Sequence, residues 1–264
     1  MNTTVDISWG LLASFSGLLL IPYWLSKKLH LELERDGLIS VGRMALQLIL
    51  VGLYLGYLFH LNSLLVNLLW LAVMVVVGAS AILNKSKLPK QPLLLAVMAG
   101  LLSGLVPLLF IITVGLIQPS PVYHAQYMIP LAGMLLGNSL SGCIVALQNF
   151  FTSLTERQTE YQAAISLGAA PSYACRPFVQ AAIGKSMAPT LASMSTMGLV
   201  TLPGMMTGQI LGGASPMVAI KYQMMIMIAI LVMLSISVTV TLRLTVKMSF
   251  DRFGKVLITQ IKSE

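Results

Sequence analysis

The stretch LLLAVMAGLLSGLVPLLFIITVGLI, residues 93–117, contains no charged side chain. As an α-helix its 25 residues would extend about 37 Å, which exceeds the roughly 30 Å hydrocarbon core of a bilayer. A continuous apolar run of this length predicts a helix that crosses a membrane. Gly100 and Gly104 within it are four residues apart, so they share one face of that helix.

The rest of the chain follows the same pattern. It has 264 residues, 57% of them hydrophobic and only 9% charged, and its mean hydropathy is +0.88, outside the range of soluble globular proteins. Apolar runs long enough to span a bilayer occupy residues 8–26, 44–60, 64–83, 93–117, 125–150, 191–214 and 218–242. The sequence therefore predicts an all-α integral membrane protein with seven spans in a single domain, 1–264. Pro203 and Gly204 interrupt the sixth run, which favours a broken or re-entrant helix there.

The basic residues indicate the orientation. When the seven runs alternate in direction, fifteen of the sixteen Lys and Arg fall on one side, and only Lys221 falls on the other. The positive-inside rule then places the N-terminus outside and the C-terminus in the cytoplasm of an inner-membrane protein. The net charge of +8 is not concentrated in an aromatic-containing basic stripe, so we expect lipid contact and no nucleic-acid partner.

The longest cytoplasmic loop, about 151–190, contains EYQAAISLGAAP at 160–171. Ser153 and Glu156 have capping-box spacing and predict a helix start, while Gly168 and Pro171 predict its end three to four turns later. The docking residues that we predict share a mostly small face of this helix: Glu160, Ala163, Ala164, Leu167 and Gly168. Such a face can enter a groove on a partner, with Glu160 as a charged anchor; a helix lying on lipid headgroups is the alternative.

The pattern E-x-x-A-A-x-x-L-G-A-x-P at 160–171 resembles the coupling helix of ABC-transporter permeases, which inserts into a cleft of the ATPase subunit. Two further stretches are SVGRMALQLILVG at 40–52 and GLVTLPGMMTGQILGGASPMVAIKYQMM at 198–225. Together with the coupling segment they are similar to FetB-type permeases, bacterial iron exporters that also resemble plant proteins of aluminium tolerance. The resemblance implies an iron-exporting permease subunit that pairs with a separate ATPase carrying ATP and Mg²⁺. An importer permease for another small solute, or an ATP-independent channel or scaffold, are the alternatives.

No catalytic constellation is found in the chain itself. Gly184-Lys185-Ser186 ends like a phosphate-binding loop, but position 179 is Val where that loop needs Gly. The three histidines are far apart in sequence, and Cys143 and Cys175 are expected to be free thiols. We therefore predict a transport subunit that is not an enzyme and binds no cofactor.

Few polar side chains lie inside the predicted spans. Gln209 follows Pro203 in a glycine-rich half-helix, where unwound carbonyls could face a cavity. The candidate pathway residues are Asn138, Pro203, Gly204, Met205, Met206 and Gln209. Ten of the seventeen methionines lie between 187 and 233; adaptable packing is the favoured interpretation and a soft-metal site the alternative, so the metal ligands stay undetermined.

Glycines four residues apart recur at Gly52 and Gly56, at Gly100 and Gly104, and at Gly133 and Gly137. These pairs predict close helix packing, within one chain or between two copies. Because one chain with seven spans is small for a complete pathway, we expect a homodimer.

Overall fold

The computed structural model describes residues 7–30, 34–251 and 254–258, and only the backbone of 34–36. Over these ranges the chain is helical and has no β-strand. The helices are α1 (Trp9–Ser16), α2 (Leu20–Lys28), α3 (Glu34–Leu61), α4 (Leu64–Lys85), α5 (Lys90–Phe110), α6 (Ala125–Glu156), α7 (Gln158–Ser166), α8 (Pro171–Ala174), α9 (Arg176–Thr196), α10 (Gly204–Leu211) and α11 (Pro216–Ser249). The predicted all-α class is confirmed.

Six helical segments of the described chain are long and apolar enough to cross a membrane: Trp9–Lys28, Gly37–Leu61, Leu64–Lys85, Lys90–Ile117, Ala125–Glu156 and Pro216–Ser249. The first joins α1 to α2 through a short 3₁₀ turn, and the fourth extends α5 by a π-helical segment after Pro107. Proline removes a backbone donor and crowds the preceding turn, which accounts for the altered pitch there. These segments match six of the seven predicted spans.

The remaining predicted span, the sixth in chain order at 191–214, is not a single helix. Helix α9 ends at Thr196, the chain turns through 197–203, and α10 has only eight residues. Gly198 adopts a left-handed φ of +85°, and Pro203, without an N–H group, is the N-cap of α10. The count of seven continuous spans is therefore not confirmed, and the interruption predicted at Pro203-Gly204 is the position where α10 begins.

Helix α11 lies at the centre of the bundle and packs most extensively against α5 and α6. The contact with α5 is close because Gly100 and Gly104 present no side chain: a Cβ on Gly100 would overlap the Thr241 hydroxyl and lie 2.9 Å from the Ser237 carbonyl oxygen. Helix α9 packs on α6 and α11, and α4 packs on α5 and α6. In this arrangement cavities form between the surfaces of α6, α9, α10 and α11.

The first three helices stand apart from this bundle. Most of their described side chains are exposed, and a Cβ added to Gly52 or Gly56 would meet no neighbouring atom of the described chain within 4 Å. Contact with the bundle is concentrated near the end of α3, where the Tyr54 and Trp70 rings lie 4.5 Å apart and Leu58 is buried. Apolar side chains on α1–α3 are thus available to lipid or to a second copy.

Helix α6 extends past the end of α4. The Gln148 amide donates to the Lys85 carbonyl oxygen at the basic end of α4, 2.8 Å away. Arg157, where α6 ends, lies nine residues further along the chain, or about 13 Å at helical rise. The predicted helix start at Ser153 and Glu156 is wrong, because both residues belong to α6. The predicted loop 151–190 contains the end of α6, all of α7 and α8, and the first part of α9, which begins at Arg176.

Candidate functional site

The predicted coupling helix corresponds to α7, Gln158–Ser166, which is nine residues long, not three to four turns. It begins after Arg157, whose φ of −112° and ψ of 34° break the path of α6. It ends in a Schellman motif: Gly168 N–H donates to the Ile165 carbonyl at 2.9 Å and Ala169 N–H to the Ala164 carbonyl at 3.0 Å. Gly168 has a φ of +87°, as its predicted role as the helix stop requires. Pro171 then opens the short helix α8.

Three of the five predicted docking residues line one concavity on this end of the molecule. It encloses about 360 Å³ and is lined by Glu160, Ala164, Leu167, Ala169, Tyr173, Ala174, Pro177 and Phe178. Leu167 is 89% exposed and Tyr173 68% exposed. Ala163 and Gly168 do not line the concavity. Exposed apolar side chains that together line a concavity form a surface suited to contact with another protein.

Glu160 is engaged within α7. Its carboxylate pairs with Arg157, whose Nε donates to Oε1 at 2.8 Å, and the hydrogen bond from Arg157 lowers the pKa of Glu160. The Arg157 guanidinium also lies 5.2 Å from the centroid of the Phe178 ring on α9. The pair therefore links α7 to α9 as well as placing a charge at the rim of the concavity.

The opposite face of α7 is held by the segment that follows α11. Tyr161 is 3% exposed, its hydroxyl donates to the Gly254 carbonyl oxygen at 2.8 Å, and its ring centroid lies 5.3 Å from that of Phe250. Burial raises the pKa of Tyr161 to about 12, so the phenol stays a hydrogen-bond donor at neutral pH. A Cβ on Gly254 would meet Ile165 of α7 at 3.0 Å. The C-terminal end of α11 is thus directly connected to α7.

Replacing Gly254 should loosen this connection more than replacing Gly168. Both glycines have positive φ, +79° and +87°, where an alanine costs about 1–2 kcal/mol. Only Gly254 is also packed against Ile165, while Gly168 has nothing within 4 Å. We expect Gly254→Ala to accelerate proteolytic cleavage between residues 157 and 175 well beyond Gly168→Ala. Equal cleavage rates in the two variants would show that the packing on Ile165 contributes nothing.

Two further cavities, both open to the surface, lie beside the α9–α10 turn. One, about 500 Å³, is lined by α6, α9, the turn, the start of α10 and α11; the other, about 490 Å³, lies between the turn and the N-terminal half of α11. Four residues contribute to both: Met197, Pro203, Gln223 and Met227. Of the predicted pathway residues, Asn138 and Met205 line the first cavity, Met206 lines the second, and Pro203 lines both. Gly204 and Gln209 line neither.

Sequence reasoning missed Gln223 as a cavity residue. It is 7% exposed, its Nε2 donates to the Met197 sulfur at 3.9 Å, and its Oε1 has no hydrogen-bond partner among the described residues. A single amide within an apolar span more often bridges helices, which is why the pattern alone favoured a structural role. The signal that identifies it is the turn 197–203, which carries Met197 back against α11.

The surroundings of the other candidate groups are those of residues with a structural role. Cys143 and Cys175 are free thiols, as predicted, and both are buried. Burial raises the pKa of Cys175 to about 12, so its thiol stays protonated at neutral pH. Among the described residues no group of three or more His, Cys, Asp or Glu could hold a metal ion. Gly184-Lys185-Ser186 lies inside α9, and a helix is not the strand-to-helix turn that a phosphate-binding loop needs.

The six long apolar helical segments of the described chain define a multi-pass membrane protein. Residues 9–250 match the family described as Uncharacterised protein family (UPF0014), and the chain belongs to that family. It is 32% identical to the "Probable iron export permease protein FetB" of Escherichia coli over 247 residues, 94% of each chain. The resemblance to FetB-type permeases is confirmed.

Further relatives come from a bacterium and a plant. The chain is 34% identical to the UPF0014 membrane protein YjkA of Bacillus subtilis over 78% of this chain and 81% of YjkA. It is 33% identical to the protein ALUMINUM SENSITIVE 3 of Arabidopsis thaliana over 78% of this chain and 74% of that protein. No protein of solved structure matches the chain.

Proposed function

We propose that the chain is the permease subunit of an ABC transporter that exports a metal ion, and that a separate ATPase subunit binds ATP and Mg²⁺. The observation that supports this most strongly is Leu167, the C-cap residue of α7, which is 89% exposed and lines the concavity beside Tyr173. An ATPase cleft that covers the concavity of α7 and α8 would bury Leu167 and Tyr173. The name of the FetB relative makes iron the first metal to test.

The orientation follows from charge. Lys85, Lys90, Arg157, Arg176 and Lys247 are at helix ends or turns on the same side of the bundle as α7. The positive-inside rule assigns this side to the cytoplasm, where ATP is available, and the N-terminus to the outside of the cell membrane. On this proposal α9 and α10 together make one interrupted crossing. Two copies of the permease would face two ATPases, with the open surfaces of α1–α3 available for contact between copies.

The mechanism uses the two attachments of α7. Closure of the ATPases around nucleotide moves α7, and α7 is joined to α6 at Arg157 and to the end of α11 through Tyr161 and Gly254. Since α6 and α11 both line the cavity of about 500 Å³, the motion changes which side of the membrane that cavity faces. The chain itself supplies the connection and the pathway, and the partner supplies the energy.

Co-purification tests the proposal directly. We expect the full chain, solubilised from membranes of cells that also express the cognate ATPase, to elute with it in a complex whose mass equals two of each subunit. Inside-out vesicles should then accumulate iron or another metal only when ATP is added. Accumulation in right-side-out vesicles would indicate an importer instead, and ATP-independent flux without an associated ATPase would indicate a channel.

A further inference from the structure

The two cavities beside the α9–α10 turn are rich in thioethers. Seven of the chain's seventeen methionines line one or both of them: Met134, Met194, Met197, Met205, Met206, Met224 and Met227. None of the described residues that line either cavity is His, Cys, Asp, Glu, Lys or Arg. The available ligands are therefore neutral sulfur atoms, amides and hydroxyl groups.

The polar side chain of Gln223 lies among these methionines. Its amide lies in the wall common to both cavities, beside the Met197 sulfur, and it is 7% exposed. A buried carbonyl oxygen without a donor is destabilising, and Gln223 Oε1 has no donor among the described residues. Adaptable packing explains methionines in an apolar wall, but it does not explain a buried amide oxygen without a donor between them. A bound cation would accept electron density from both the oxygen and the sulfur.

The ligand set selects the type of cation. Thioethers are soft ligands that favour Cu(I), whereas carboxylates and water favour Mg²⁺, Ca²⁺ and Mn²⁺. Desolvation also favours a single charge, because the Born energy of transferring an ion into a low-dielectric site rises with the square of its charge. An uncharged thioether site inside a membrane bundle thus fits a monovalent soft ion much better than a bare divalent one.

We propose that Met197, Met227 and Gln223 form the centre of a binding site for a soft monovalent cation, Cu(I) or its analogue Ag(I), with the other cavity methionines lining the approach. As a statement about cargo this rests on the proposed export function. As a statement about binding it concerns this chain alone, since every residue involved belongs to it.

The test measures binding to the full chain purified in lipid nanodiscs, using Ag(I) because it is redox-inert. Equilibrium dialysis should give a saturable site in the wild type and a Kd about 10–100-fold weaker in M197L/M227L. Leucine keeps nearly the same volume as methionine, so the fold should tolerate the change. The matched control is M44L/M217L, because Met44 and Met217 are 53% and 63% exposed and line neither cavity. The control should bind as the wild type does.

Cu(I), kept reduced by ascorbate without oxygen, should show Cu–S scattering in X-ray absorption spectra of the wild type that is lost in M197L/M227L. If that double variant does not elute as a single species, M206L/M224L tests the second cavity alone and should also weaken Ag(I) binding. Absent binding by the wild type, or equal binding by the cavity and control doubles, would overturn the site. Because no ATPase is present, that result would leave ATPase co-purification, and hence the proposed function, untouched.

Discussion

Leu167→Glu is expected to abolish ATPase binding while leaving the permease folded. Burying a leucine side chain contributes about 1.5–3 kcal/mol, and every 1.4 kcal/mol changes a Kd tenfold. A glutamate in its place would also have to lose its hydration within the docked interface. We expect the affinity for the ATPase to fall at least ~100-fold, measured by co-elution and by stimulation of ATP hydrolysis. Because Leu167 is 89% exposed in the single chain, the variant should keep the wild-type thermal stability.

The matched control places the same charge elsewhere on α7. Gln162 is exposed and does not line the concavity, so Gln162→Glu should preserve co-elution. Tyr173→Glu, on the other side of the concavity, should reproduce the loss seen with Leu167→Glu. Retention of the ATPase by both concavity variants would rule out this surface as the docking site, whatever the result with Gln162→Glu.

The membrane helices were predictable because the bilayer imposes a length and a polarity on each of them. The length and apolar character of residues 93–117 predict a membrane-spanning helix. Helix α9 was not predictable by the same reasoning, because Arg176 and Lys185 lower the hydropathy of its first half to that of a loop. Packing on α6 and α11 stabilises α9 as a helix. These contacts cannot be predicted from the local sequence pattern.

Part of the candidate site was also predictable from the sequence, and part was not. The stop at Gly168 follows from local backbone chemistry and was predicted correctly. The support of α7 by Gly254 joins residues ninety positions apart, and depends on the turn after α11. Gly142 shows the same limit: no spacing in the sequence distinguishes it, yet a Cβ there would overlap the side chain of Leu234. Spacing identifies glycines that can admit a neighbour, but only the packing decides which ones do.

Gly100→Ala is expected to destabilise the bundle even though alanine is the better helix former. In an unpacked helix the change would stabilise by about 0.5–1 kcal/mol. At Gly100 the new Cβ overlaps the Thr241 hydroxyl and lies 2.9 Å from the Ser237 carbonyl oxygen, so α5 and α11 must separate. Overpacking of this kind costs about 1–3 kcal/mol. We expect a clear fall in the thermal unfolding midpoint and in the yield of monodisperse protein.

The same substitution at Gly104 and at Gly137 should destabilise the bundle less, because the added Cβ is less crowded at these two positions than at Gly100. A Cβ on Gly104 would lie 3.2 Å from the Met233 carbonyl oxygen and 2.8 Å from the Ser237 hydroxyl, which can rotate, while one on Gly137 has nothing within 4 Å. Stability should therefore rise from Gly100→Ala to Gly104→Ala to Gly137→Ala, with the last at or above wild type. If Gly137→Ala were the most destabilising of the three, the Gly137 face of α6 would be packed against a second copy of the chain. The closest helix contact would then lie between two chains and not between α5 and α11.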